Sequence, residues 1–496
     1  PMNISIVLRT VSNLALMLSA IFIIPLGVAL FYKNYDTLWA FILAIVLSGI
    51  LGGLKKLFFR RKIEEEIGIR EGIAIVTFSW LICIFLGAVP YWYSGVCTTY
   101  TDAVFETTSG FTTTGSSLLT NVEILPESIL FWRAFTNWLG GMGIIVVFVA
   151  LLPAMGVSGY PLFTAEVSGP SVGKLKPRIA ATAKVLWIIY LVFTATLTLL
   201  YFLGGMPFFD AICHSFATVS TGGFSTKNAS IAYFDNLYIE IVAAVFMFIC
   251  GCNFGLYYQC FQLNFKKILK NSELRFFAGL NLIAIVFVAA LLYLGQPDSF
   301  RNDAGSEYCQ NFEYSVRRSF FQVVAICTGT GFSTADFDVW PDICRFLLVL
   351  LMFIGACAGS TGGGIKSVRI LILLKSSMRE IMRVIRPRMV KHVKINGESV
   401  SGEIITGCSV FFVVYLGFFG VCSLALMATN LDMVTAFSAV CTCMANCGPG
   451  LAKVGPSLNF SEISYFSKWV LSFCMLLGRL EIYSFLLIFL PVTWKR

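Results

Sequence analysis

The chain has 496 residues, of which 57% are hydrophobic and only 13% charged, and its formal net charge is +9. Its mean hydropathy of +0.81 excludes an ordinary soluble enzyme and a disordered chain, and specifies an integral membrane protein. The basic excess does not point to nucleic acid, because it is spread over loops between apolar spans in a one-sided way.

In chain order, stretches long enough to cross the hydrocarbon fall at 12–32, 37–54, 72–93, 132–155, 185–205, 237–258, 276–295, 343–374, 404–428 and 469–491. The first is read as a retained span, not a signal peptide: it is long, lacks a small-residue cleavage site and is followed at once by a second span. Alternating the loops between the two sides places the basic stretches 55–71, 156–184, 259–275 and 366–394 on one face. By the positive-inside rule that face and both termini are cytoplasmic. The cluster Arg379, Arg383, Arg386, Arg388, Lys391, His392 and Lys394 fits anionic lipid or an acidic partner surface.

Gly115, Gly223 and Gly331 recur at intervals of 108 residues, and Gly448 follows 117 later. Each closes a polar tract between apolar spans: Thr112-Thr113-Thr114-Gly115, Ser220-Thr221-Gly222-Gly223, Thr328-Gly329-Thr330-Gly331 and Asn446-Cys447-Gly448. A moderately apolar stretch of about three turns precedes each tract, beginning near Asp102, Asp210, Arg318 and Thr435. These stretches are too short to span and fit re-entrant helices whose carbonyl ends point inward. The expected architecture is all-α. Residues 1–62 form a two-helix hairpin, and four helix–pore loop–helix units at 63–170, 171–265, 266–395 and 396–496 surround a central pore. The inner helix of the third unit is broken.

A single Gly/Ser/Thr tract is most simply a surface turn. Four in matching register at membrane depth need a shared interior, because irregular backbone is tolerated there only where it lines a cavity or is buried in protein. Backbone carbonyls released by glycine dihedrals, with threonine hydroxyls beside them, supply the weak oxygen ligands that a dehydrated monovalent cation needs. Two histidines are too few for a hydrolytic triad or a histidine-rich metal centre. The sixteen cysteines lie mainly in apolar spans and read as packing residues; Cys250-x-Cys252 and Cys441-x-Cys443 are too close and too embedded for a zinc cluster. Glu106 and His214 read as groups that satisfy local backbone, and Arg133 as a side chain snorkelling to the extracellular surface.

On the four tracts and the two-helix prefix, the chain resembles the Trk/Ktr/HKT superfamily of potassium transporters, most closely its Trk-type membrane subunits. The resemblance implies that the four tracts form the filter, with glycine at all four positions matching the potassium-preferring members. The fourth tract, with Cys447 and the run Gly448-Pro449-Gly450, departs most from that pattern. It also implies a homodimer bound to a peripheral cytoplasmic nucleotide-binding regulatory subunit.

The span 343–374 is too long for one straight crossing and is interrupted by Gly355, Gly359, Ser360, Thr361, Gly362, Gly363, Gly364 and Lys366. A phosphate-binding loop is the first rival reading, but Ile365 separates Gly364 from Lys366 and no soluble strand precedes the loop. A flexible break is the second. The third is a mobile loop beneath the filter, with Ser360, Thr361 and Lys366 facing water; the resemblance gives the matching loop the role of a gate. Arg479 sits mid-span, where a charge facing lipid is costly, so it faces protein or the pore, or pairs with Glu481.

The expectation is therefore K⁺ uptake across the plasma membrane, in bacteria the inner membrane, with no cofactor beyond the ion and no enzymatic activity. The membrane potential supplies about 2.3 kcal/mol per 100 mV for each entering charge. A Na⁺-coupled or weakly selective symporter shares the architecture, and an embedded subunit of an ATP-driven pump remains a rival.

Overall fold

The computed structural model describes residues 3–58, 68–143, 179–261, 265–295, 311–388 and 392–482, together with Leu486 and Pro491. α1 (Ile4–Ile21) and α2 (Ile23–Phe31) are parted only at Phe22, and the chain then reverses into α3 (Tyr35–Phe58). α4 (Ile69–Tyr93), α5 (Tyr100–Phe111) and α6 (Glu127–Gly141) follow, and then α7 (Ile179–Leu203), α8 (Phe208–Val219) and α9 (Leu237–Gly251). Short helices α10 (Phe254–Phe261) and α11 (Phe265–Leu269) lead into α12 (Ser272–Leu294), α13 (Phe312–Cys327), α14 (Asp342–Ile354) and α15 (Ser367–Ile385). A two-stranded antiparallel hairpin, β1 (Lys394–Ile395) with β2 (Glu398–Ser399), precedes α16 (Gly402–Met427), α17 (Met433–Ala445) and α18 (Tyr465–Arg479).

Among the described residues, six helical stretches are long and apolar enough to cross a membrane: Ile4–Phe31, Tyr35–Gly53, Arg70–Tyr93, Ala183–Leu203, Ser272–Leu294 and Gly402–Met427. They carry the exposed apolar side chains expected of a lipid-facing surface, among them Val46, Leu199, Ile283 and Val413. The other four expected spans are interrupted or shorter among the described residues. The stretch 237–258 breaks at Cys252–Asn253, 343–374 breaks over residues 355–366, and α18 stops at Arg479. Of 132–155, residues 144–155 lie outside the described residues. α6, α9 and α18 end where they meet the ends of α5, α13 and α17. A Cβ on Gly140 would overlap the Phe111 carbonyl, one on Gly251 would press the Thr328 side chain, and one on Gly478 would overlap the Met444 carbonyl.

The core lies between successive triplets of helices. Phe321, Val324 and Phe332 pack with Val219 and Ile239, and Val323, Trp340 and Leu348 with Cys441 and Leu451. Phe105 and Trp132 share a cluster with Val440, Leu471 and Leu477, which joins the last triplet to the first. The N-terminal helices extend this cluster: Phe22 lies 4.8 Å from Trp132, and Thr37 shares a 2.6 Å hydroxyl hydrogen bond with Ser128. Cys250, Cys252, Cys441 and Cys443 are buried and form no disulfide.

Candidate functional site

The four short helices α5, α8, α13 and α17 begin and end by the same local rules. Thr99 accepts a hydrogen bond from the Asp102 N–H at 3.2 Å, Asn311 from Tyr314 at 3.0 Å and Asp432 from Thr435 at 3.0 Å. Each such cap contributes about 1 kcal/mol, while α8 is entered through Pro207. At the other end the Thr114 N–H reaches back to the Ser109 carbonyl, Gly222 to Ala217, Thr330 to Ala325 and Cys447 to Thr442, at 2.8–2.9 Å. These are Schellman closures, which require a left-handed residue just before the donor. Thr113 (φ 55°), Thr221 (φ 54°), Gly329 (φ 74°) and Asn446 (φ 52°) occupy it. For a branched threonine that conformation costs roughly 1–3 kcal/mol and marks a site held by its surroundings.

Two residues further on, φ is positive again at Gly115, Gly223, Gly331 and Gly448 (81°, 73°, 73° and 107°). The dihedral signature thus recurs four times, and the Asn446-Cys447-Gly448 tract follows it despite its different side chains. The tracts also interlock in order. A Cβ on Gly115 would collide with the Gly222 carbonyl, one on Gly223 with that of Thr330, one on Gly331 with that of Cys447, and one on Gly448 with that of Thr114. Each tract abuts the next, and the fourth abuts the first. The four carbonyls receive no hydrogen bond from any described residue. All four glycines line one cavity of about 180 Å³, which also takes in Ser117, Phe224, Lys227 and Pro449. No His/Cys/Asp/Glu group able to hold a metal occurs among the described residues, so the donors offered here are backbone oxygens and hydroxyls.

Buried charges brace this ring. Arg133 does not snorkel: at 3% exposure its Nε pairs with Glu106 at 2.9 Å, and its Nη1 donates to the Ser225 carbonyl at 3.0 Å. The guanidinium also lies 4.2 Å over the Phe224 ring. Desolvation favours this arrangement, because an unpaired charge at this depth would cost several kcal/mol. Glu106 accepts in turn from the Leu118 N–H and the Ser117 hydroxyl, and His214 bridges the Asp210 carbonyl and the Ser225 hydroxyl. Glu240 holds Arg317 and Arg318 at 2.7 and 2.8 Å, Asp338 joins Arg345 to the Ala452 N–H, and Lys468 reaches Asp102 at 2.7 Å.

Residues 355–366 fold directly beneath the ring. A Cβ on Gly362 would strike the Thr328 carbonyl, and one on Gly363 the Ala445 carbonyl. Thr361 and Lys366 are buried, contrary to the water-facing expectation, and Ser360 is half-buried. The reason is close packing: the Thr361 hydroxyl meets that of Thr221 at 3.0 Å and the Val219 and Cys250 carbonyls at 3.3 Å, while the Lys366 ammonium folds back onto the Gly362 carbonyl at 2.5 Å. Arg479 donates to the Thr361 carbonyl at 2.6 Å, to the Gly140 and Gly141 carbonyls, and to the Thr113 hydroxyl at 3.4 Å. Glu481 is bonded instead to Arg369. Sequence reasoning thus missed Arg133 as a brace, together with Asp338 and Lys468. Arg133 is the second residue of the stretch 132–155, so nothing local signalled its burial.

Four short helices whose tracts abut in a ring beside one cavity, in a helical chain with stretches apolar enough to cross a membrane, fit a membrane cation transporter. The sequence model of the TrkH cation transport proteins matches residues 38–495, and the chain belongs to that family. It is 38% identical over 501 residues to the Trk system potassium uptake protein TrkH of Halomonas elongata, with all of both chains covered. To the protein of that name from Escherichia coli it is 39% identical over 500 residues, again with full coverage of both. The TrkG protein of Escherichia coli is 36% identical over 475 residues, covering 95% of this chain and 94% of its own. The crystal structure of the potassium transporter TrkH from Vibrio parahaemolyticus superposes with a TM-score of 0.86 at 36% identity, covering 100% of both chains.

Proposed function

We propose that the chain takes up K⁺ across the plasma membrane, in bacteria the inner membrane, by passive conduction through the ring of tracts. The observation that carries this reading is the closed ring of four carbonyls, from Thr114, Gly222, Thr330 and Cys447, with no protein donor among the described residues. Buried carbonyls normally find a donor, and oxygens left open around one cavity are the ligands that replace a monovalent ion's water. Filter ligands are assigned to Thr112–Gly115, Ser220–Gly223, Thr328–Gly331 and Asn446–Gly448. The four units 63–170, 171–265, 266–395 and 396–496 each supply one tract, and the described helices of the 1–62 hairpin, α1 to α3, pack outside them.

The loop from Gly355 to Lys366 is the gate. In the arrangement described it fills the space below Thr328 and Ala445, and Arg479 adds a positive charge on the path of a descending cation. The names of the relatives support K⁺ as the cargo, and a Trk system implies further components. A homodimer carrying a peripheral nucleotide-binding subunit, with both termini cytoplasmic and the basic face near lipid headgroups, completes the proposal. No chemistry within this chain is needed, since the membrane potential supplies the drive.

The test is tracer influx into proteoliposomes holding the purified chain, under an imposed potential and without ATP. Uptake of Rb⁺ and K⁺ well above Na⁺, unchanged when external Na⁺ is removed, is the expected result. Influx that needs Na⁺, or that favours neither ion, would replace this reading with a coupled or unselective transporter.

A further inference from the structure

Glu273 lies in the first turn of α12 and hydrogen-bonds to none of the described filter residues, yet it is only 6% exposed. Its Oε1 accepts from the Ala358 N–H at 2.6 Å and from the Ser367 hydroxyl at 3.4 Å. Ala358 stands near the start of the intramembrane loop, and Ser367 and Val368 open α15 just after its end. The N-cap position of α15 is Lys366, at φ 72°, which provides no side-chain cap. A carboxylate at a helix N-terminus is favourable, so Glu273 supplies from α12 the acceptor that α15 lacks. One side chain therefore grips both ends of the loop.

The turn that carries Glu273 is also held from the cytoplasmic hairpin. The Ser272 N–H donates to Asn396 Oδ1 at 2.7 Å, and the Asn396 N–H donates to Ser272 Oγ at 3.1 Å. Lys375 of α15 donates to the Lys394 carbonyl of β1 at 2.9 Å. The hairpin residues Asn396 to Ser399 are exposed, so a load applied there reaches Ser272 and, one residue on, the carboxylate.

We infer that Glu273 is the positioning residue that latches the intramembrane loop, and that the 394–399 hairpin is the handle that acts on it. This rests on the reading of the loop as a gate. The latch is charge-assisted, like the bond from Arg479 to the Thr361 carbonyl, and such bonds are roughly twice as strong as neutral ones. Releasing it frees both loop ends without disturbing the four tracts, so it changes how often ions pass and not which ions pass.

The experiment compares the full chain with E273A, E273Q and N396A in proteoliposomes under an imposed potential. E273A should raise basal Rb⁺ influx about tenfold, the factor carried by loss of a hydrogen bond to a charged group, with the Rb⁺/Na⁺ ratio unchanged. N396A should give a smaller rise, and adding it to E273A should give no more than E273A alone, as for two residues in one linkage. Thiol labelling of Cys357, followed by mass spectrometry, should quicken in the same order, because that buried side chain sits inside the loop. Unchanged influx and labelling in both E273Q and N396A, or a fall in the Rb⁺/Na⁺ ratio in either, would overturn the latch. If E273A fails to fold, E273Q and N396A decide alone. Failure of the wild-type chain to pass Rb⁺ would strike the transport reading itself, whereas a conducting wild type with unaltered variants strikes only the latch.

Discussion

Thr113 and Thr221 adopt a backbone conformation that branched residues avoid, and the glycines two positions later cannot exchange places with them. At Gly115 a side chain would meet both an unfavourable φ of 81° and the Gly222 carbonyl. Gly115→Ser should therefore displace that oxygen and lower the Rb⁺/Na⁺ influx ratio about tenfold, the scale set by roughly 1–3 kcal/mol of local strain. An unchanged ratio in competition uptake would remove Gly115 from the filter. Arg133 gives a different outcome. R133M leaves Glu106 buried without its partner and should cost about 3–5 kcal/mol, read as a lower unfolding midpoint in detergent, while E106Q/R133M should recover part of the loss. At this scale the glycines were legible in the sequence because their spacing repeats. The brace was not, because a charge near the end of an apolar stretch reads as snorkelling until its depth and its partner are both known.

Among the elements, short helices before the four tracts were legible because polar residues bound short apolar runs. The break between α14 and α15 was legible because glycines crowd it. What faces that loop was not legible: Thr361 lies 140 residues from Thr221, and nothing local announces their contact. The break at Cys252–Asn253 was missed for a related reason, since both flanking runs are apolar and only tertiary contact, such as the hydrogen bond from the Cys357 N–H to the Gly251 carbonyl at 3.0 Å, makes the interruption stable. Deleting Gly362 to Gly364 should raise basal Rb⁺ influx severalfold by emptying the space below Thr328 and Ala445; retained folding with no rise in the flux assay would argue for a passive spacer. Arg479→Ala should also increase conductance, in single-channel or tracer recordings, because it removes both a repelling charge and the bond to the Thr361 carbonyl.

The whole molecule is a single chain that must meet itself. Lys468 of α18 reaches Asp102 of α5, and the Phe460 N–H donates to the Ser117 carbonyl at 2.9 Å, so contacts more than 300 residues apart join the two ends of the arrangement. K468M should lower the thermal midpoint and loosen the first and fourth tracts more than the second and third, which hydrogen–deuterium exchange at Thr114 and Cys447 compared with Gly222 would report. The interlock of the tracts has a direction: each glycine leans on the carbonyl of its successor, as the teeth of a ratchet wheel lean one way. Substitutions in tracts that follow one another should then couple, while a pair placed diametrically, Gly115 with Gly331, should behave as two separate injuries. A fourfold assembly of identical subunits could never be tuned this way, since every change would arrive in all four places at once.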